Sequence, residues 1–165
     1  MKRNKFGEYP LFYVVLLVTL TSDQVAKFLA NRWLVGRRIT VLPKFFFLSY
    51  TRNSGAAWSI LQGNGVLLGI IGIFVLVAIF ALRKRLEIKQ WGNQFAFGMI
   101  CAGIAGNIID RLLYGHVVDF IDLRLGTFCW PVFNIADASI CSGIFIYFLF
   151  TILSGTRKEL KIMFY

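Results

Sequence analysis

The chain has 165 residues, 58% of them hydrophobic, with a mean hydropathy of +0.69 and a net charge of +10. A soluble domain averages about 45–50% apolar residues, so these totals exclude an ordinary soluble protein; apolar runs near the roughly 20 residues that cross a bilayer point to a small polytopic helical membrane protein. The basic residues flank those runs, which fits membrane topology and anionic headgroups and argues against nucleic acid as a partner.

Lys2, Arg3 and Lys5 precede an apolar run that opens near Tyr9. It begins like a secretory signal peptide, but no A-x-A-like cleavage site follows. A first membrane helix is therefore expected over about 9–30, kept in the mature protein. Asp23 and Lys27 are four apart on one face of it and can pair, either as a plain interfacial pair or to hold and orient a polar site. From 31 to 63 the character changes: Arg32, Arg37, Arg38, Lys44 and Arg52 interrupt the apolar pattern and Pro43 breaks it. Ile39 to Leu42 and Phe45 to Tyr50 are β-branched or aromatic, which predicts a small sheet on the membrane surface, its aromatics toward lipid. Asn53-Ser54-Gly55-Ala56-Ala57-Trp58 follows, a plain turn or a place where small residues and one amide let a ligand approach closely.

A second helix is expected over about 64–82, uncharged from Val66 to Leu82, then a basic loop with Arg83, Lys84, Arg85 and Lys89. The third helix covers about 93–113. Its Gly98, Ala102, Gly103, Ala105 and Gly106 permit tight packing, and Asn107 and Asp110 share a face near its end. The fourth covers about 132–153 and leads to a tail with Arg157, Lys158 and Lys161. The whole of 1–165 reads as one membrane-embedded domain. With four helices, the three basic segments fall on one side, the cytoplasmic one, with both termini there. Residues 31–63 and 114–131 then lie outside, and the polar residues cluster near the extracytoplasmic surface.

Four of the eight acidic residues fall between Gly103 and Asp137: Asp110, Asp119, Asp122 and Asp137. Carboxylates are costly near a bilayer, so the cluster is a candidate functional site. Two carboxylates brought together in low dielectric do not both ionise easily, so the pair serves as acid and base together and activates a water for peptide hydrolysis. Neighbouring amides and Arg111 would orient the carboxylates or bind substrate carbonyls. Spacing does not single out which two of the five aspartates form such a pair; Asp137 and Asp122 also suit helix N-caps, and Asp110-Arg111 an interfacial ion pair. Cys101, Cys129 and Cys141 are odd in number and lack metal-ligand spacing, which predicts no disulfide framework, no metal and no cofactor. His116 is the only histidine, which argues against zinc-protease and Ser-His-Asp chemistry.

Five segments, in order, carry a resemblance over nearly the whole chain. They are Ser22-Asp23-Gln24-Val25-Ala26-Lys27, Asn53-Ser54-Gly55-Ala56-Ala57, Gly106-Asn107-Ile108-Ile109-Asp110-Arg111, Val117-Val118-Asp119-Phe120 and Phe133-Asn134-Ile135-Ala136-Asp137. Together they resemble lipoprotein signal peptidase, the type II signal peptidase of bacteria. The resemblance implies an all-α polytopic membrane protein with four transmembrane helices and a small extracytoplasmic β-cradle, which 31–63 fits. It also implies a short surface helix, expected near 111–125. The implied activity is that of an aspartic endopeptidase of the bacterial cytoplasmic membrane. It would cut prolipoproteins just before a cysteine that carries diacylglyceryl, in contact with membrane lipid, as a monomer inhibited by globomycin-like cyclic peptides. The implied catalytic residues are Asp119 and Asp137. Asp23, Lys27, Asn53, Gly103, Asn107, Arg111, Asn134 and Ala136 would support the site or bind substrate, and Asp110 would hold it structurally. Ala102 and Trp58 depart from the family's common glycine and phenylalanine. A transporter or channel subunit would spread its acids across the bilayer, and here they cluster at one depth. A structural subunit with an interfacial polar knot would be inert toward prolipoproteins.

Overall fold

Pro10 opens the first helix, α1 (Pro10–Trp33), at a position where its missing amide costs nothing. The computed structural model describes residues 8–55 and 61–163, with side chains through 154. Lys2, Arg3 and Lys5, the Ala56-Ala57-Trp58 segment, and the side chains of Arg157, Lys158 and Lys161 lie outside the described residues. Along α1 the buried residues Phe12, Val15, Asp23, Lys27 and Ala30 share one face, while Leu17, Val18, Val25 and Phe28 point outward. Strands β1 (Arg38–Leu42) and β2 (Phe46–Asn53) follow, then α2 (Gly65–Ala81), α3 (Trp91–Tyr114), β3 (Val117–Leu125), β4 (Phe128–Cys129) and α4 (Ile135–Met163).

α3 is the centre of the bundle, packed against α1, α2 and α4 and buried over most of its length. Its small residues set those distances. A side chain at Gly98 would strike Val15 of α1, and one at Gly103 would overlap the Ala136 carbonyl oxygen of α4. α3 ends where Gly115 takes the left-handed conformation, φ +74°, and donates its N–H to the Arg111 carbonyl at 3.0 Å. One half-turn later β3 begins. Among the described residues, three helical stretches are long and apolar enough to cross a membrane: α1, α3 and Ile135–Ser154 of α4. α2 is apolar but has 17 residues, about 26 Å at the usual helical rise. Of the four membrane helices expected, three therefore meet length and composition.

The strands form one antiparallel sheet in the order β1-β2-β3-β4. Val118 and Phe120 of β3 pack with Ala30 and Leu34 at the end of α1, beside Leu48, Tyr50 and Ile135. This apolar contact seats the sheet on the end of the bundle. A bulge between Leu48 and Thr51 shifts the register so that Thr51 faces Asp119 and Asn53 faces Val117. An isolated bridge between Ile121 and Phe133 then ties the chain entering α4 to β3.

Two expectations are corrected. The sheet is not confined to 31–63, because β3 and β4 supply half its strands. No surface helix occupies 111–125: α3 continues to Tyr114 and Val117–Leu125 is β3. Two acids inside a nine-residue strand disguise it, and its partner lies more than 60 residues earlier.

Candidate active site

Asp119 and Asp137 reach one polar cluster from different elements. Asp119 sits in β3 opposite Thr51. Its Oδ2 accepts a hydrogen bond from Asn53 Nδ2 at 2.9 Å and its Oδ1 one from Asn134 Nδ2 at 2.7 Å. Asp137 lies in the first turn of α4, where its Oδ1 accepts from Asn107 Nδ2 at 2.8 Å. Asn134 is the N-cap of that helix: its Oδ1 accepts the Asp137 N–H at 2.9 Å, and Asp137 Oδ2 accepts the Asn134 N–H at 3.3 Å. This is a reciprocal capping box. Asp137 is thus the third helical residue, and the cap anticipated at Asp137 belongs to Asn134.

Beneath the two carboxylates lies a fully packed ionic group. Lys27 Nζ donates to Asp23 Oδ2 at 2.9 Å, Asp110 Oδ2 at 3.0 Å and Asn107 Oδ1 at 2.9 Å, which uses all three ammonium donors. Asp23 Oδ1 accepts the Ala136 N–H at 2.8 Å, and Asp110 Oδ2 accepts the Val118 N–H at 3.0 Å. The spacing of Asp23 and Lys27 thus anticipated a true pair. Asp110 bonds Lys27, while Arg111 turns to the carbonyls of Asn107 at 3.2 Å and Gly55 at 3.0 Å. Gln24 was not singled out by the sequence. Its amide donates toward Asp23, Asp110 and the Gly106 carbonyl, and its place beside Asp23 in the first of the five resembling segments was the signal for it.

A cleft of about 900 Å³ opens on this cluster. Its wall includes Asn53, Asn107, Arg111 and Asp137, with Val117, Leu123, Trp130, Val132 and Ile140 as apolar surface. Asp119 is 1% exposed and lies behind Asn53 and Asn134. Burial pushes its carboxyl up to about 7, and nearby Asp137 pushes the same way. Hydrogen bonds from Asn53 and Asn134 and the charge of Lys27 pull in the opposite direction. Near neutral pH this side chain is poised to hold or give up a proton.

Asp122, the remaining aspartate, is no helix cap. It lies within β3 and pairs with Arg38 at 2.9 Å and with Arg124 at 3.2 Å, away from the cluster. Gly103 and Ala136 do their part through size, since each is buried where α3 meets the start of α4. Among the described residues, no three His, Cys, Asp or Glu side chains are grouped as metal ligands.

Asn134→Ala removes both the helix cap and a donor to Asp119. Loss of an N-cap costs about 1 kcal/mol, so the melting temperature in detergent is expected to fall by about 2–4 °C. Losing a donor to the ionised form raises the Asp119 pKa further, visible in a titration as a higher midpoint.

Comparison with known proteins agrees along the length of the chain. Residues 15–153 match the family model described as signal peptidase (SPase) II. The lipoprotein signal peptidase of Staphylococcus carnosus (strain TM300) is 39% identical over 164 residues, covering 96% of this chain and 99% of its own. That of Bacillus subtilis (strain 168) is 33% identical over 150 residues, covering 90% and 97%. A bacterial membrane enzyme solved by the in meso method at 2.3 Å resolution is similar with a TM-score of 0.79 and 34% identity, over 90% of each chain. A second, at 1.9 Å, gives 0.75 and 34% over 84% of this chain and 90% of its own.

Proposed function

This chain belongs to the signal peptidase II family, and from that premise we propose that it is a bacterial membrane protease that removes signal peptides from prolipoproteins by aspartate catalysis. The bond cut is the one before a diacylglyceryl-modified cysteine. The observation that carries the mechanism is Asn134, whose side chain and backbone bond Asp119 and Asp137 respectively.

The two carboxylates divide the work by their surroundings. Asp119 is the more deeply buried and holds the resting proton. Asp137 lines the cleft, where water has access, and negative charge is favoured in the first turn of a helix. Asp137 takes a proton from a water, whose oxygen attacks the scissile carbonyl carbon. Asp119 gives its proton to the carbonyl oxygen, and a tetrahedral diol forms. As the C–N bond breaks, the proton on Asp137 passes to the leaving amine and a diol proton returns to Asp119, so the starting state is restored. Arg111 Nε is buried without a hydrogen-bond partner among the described residues. It serves as a donor for a substrate backbone carbonyl.

The setting suits a lipid-anchored substrate, which reaches the cleft by lateral diffusion while its acyl chains stay in lipid. We infer that α2 also crosses the membrane, giving four spans. An ion pair of 3.0 Å between Glu8 and Lys89 brings the start of α1 and the basic loop to one end of the bundle. Their basic neighbours make that end cytoplasmic, so the aspartates lie toward the extracytoplasmic surface. The protein acts as a monomer and is blocked by globomycin-like cyclic peptides.

The test is cleavage of a diacylglyceryl-modified prolipoprotein by purified protein, read by gel shift across pH. The lipidated precursor is expected to be cut and the unlipidated one left intact, with kcat/KM falling above about pH 7 as Asp119 loses its proton. Activity flat from about pH 4 to about pH 9 would sink the two-carboxylate mechanism. No cleavage where an established relative cuts would sink the substrate assignment.

A further inference from the structure

We propose that Asp23, Lys27 and Asp110 are positioning residues that set the separation of the catalytic carboxylates by holding the backbone amide immediately before each one. The inference rests on Asp119 and Asp137 being that pair. Asp23 accepts the N–H of Ala136, and Asp110 accepts the N–H of Val118. Lys27 then binds both carboxylates, so the two anchors are locked to each other. The Ile121–Phe133 bridge, just after Asp119 and shortly before Asp137, joins the same two stretches of chain. Asp119 thus lies between its anchor at Val118 and the bridge, and Asp137 directly follows a stretch held at both Phe133 and Ala136.

Lys27 has a second effect. Its bond to Asn107 Oδ1 fixes which way that amide faces, leaving Nδ2 directed at Asp137 Oδ1. The packing has been cut to admit the ionic group: a Cβ at Gly106 would lie 2.6 Å from Asp23 Oδ2. Asp23 and Lys27 are 0% and 2% exposed. A buried ion triad of this kind is commonly no more stabilising than apolar side chains of the same shape, so its place here is better explained by what it holds.

The charge is felt at the reacting group as well. Asp119 faces Lys27 from α1, Asn53 from β2, Arg111 from α3, Asn134 at the cap of α4 and Asp137 within it. Lys27 is a cation whose charge lowers its pKa. Removing that cation moves the proton on Asp119 even if every backbone atom stays in place.

The experiment compares wild type with Asp110→Ala, Asp110→Asn, Lys27→Gln, Asp119→Asn and Asp137→Asn, using the lipidated precursor in micelles. Asp110→Ala is expected to lower kcat by about 10²-fold through misplacement with KM little changed. Asp110→Asn, which keeps an oxygen for the Val118 N–H, recovers part of the loss. Lys27→Gln, close to neutral in size, is expected to lower kcat and to move the alkaline limb of kcat/KM to higher pH. The proposal is overturned if folded Asp110→Ala cuts like wild type, or if its loss lies wholly in KM. It is equally overturned if Lys27→Gln changes neither kcat nor the alkaline limb, an arm that decides the matter should Asp110→Ala fail to fold. If Asp119→Asn or Asp137→Asn still cuts, the catalytic assignment itself has failed, whatever the anchors do.

Discussion

Asp119→Asn and Asp137→Asn are each expected to lower kcat by about 10³-fold or more while leaving a folded protein. Neither change alters side-chain size. At Asp119 the amide oxygen still accepts from Asn134 or Asn53, so the cluster keeps part of its bonding. What disappears is a group able to give and regain a proton. The same substitution should make the protein more stable above neutral pH. The folded protein holds the Asp119 proton up to about pH 7, against 3.8 for the free side chain. The folded state therefore binds more protons than the unfolded one between those values. Wild-type stability falls as pH rises through that window and levels off above it, by as much as about 4 kcal/mol. Asp119→Asn lacks that fall. Melting temperatures in detergent at about pH 4.5 and about pH 8 decide the point: the advantage of the variant over wild type should be larger at the higher pH. An inactive variant that is also less stable than wild type at both would argue that Asp119 is a structural group.

Gly103→Ala is the second large effect. The added methyl would overlap the Ala136 carbonyl oxygen and lie 2.7 Å from Ile140 Cγ1. The first obstacle is backbone, which yields only if α4 moves away from α3. Overpacking of this kind costs about 1–3 kcal/mol. The displaced segment begins one residue before Asp137, so activity is expected to fall by about 10²-fold as well. Gly69→Ala is the control: nothing lies within 4 Å of a Cβ there, and a helical alanine is favoured over glycine by about 1 kcal/mol. It should leave cleavage unchanged and raise the melting temperature slightly. If the two glycine variants behave alike, close approach of α3 and α4 is not what Gly103 provides.

What the sequence revealed of this site follows from distance along the chain. Asp23 and Lys27 were readable as a pair because one helical turn separates them. Asn107 and Asp110 were readable as sharing a face, and Lys27 does bond both. The small residues of α3 announced close packing before any partner helix was known. Other features depend on pairings that no local pattern encodes. Asn53 meets Asp119 across 66 positions, and only once β2 and β3 are aligned with a bulge between them. β3 itself was obscured because a strand carrying Asp119 and Asp122 looks too polar to be buried, until Arg38 and two asparagines are supplied from elsewhere and Arg124 from the strand itself. The anchors on Val118 and Ala136 are backbone groups and carry no side-chain signature at all. The cap of α4 was a nearer miss, since an Asn followed three residues later by Asp has the spacing of a capping box.

The placement of Lys27 on the same helix as Asp23 also bears on biosynthesis. Chains are made from the N-terminus, so α1 enters the bilayer before α3 or α4 exists. A lone ammonium or carboxylate in that helix would resist insertion by about 2.5–3.5 kcal/mol. Paired within one turn, the two charges neutralise each other from the outset. On the proposed two-aspartate mechanism, the nascent chain also gains its activity late. Asp137 is the last member of the cluster to be translated and arrives with the final helix, so incomplete chains lack one of the two carboxylates.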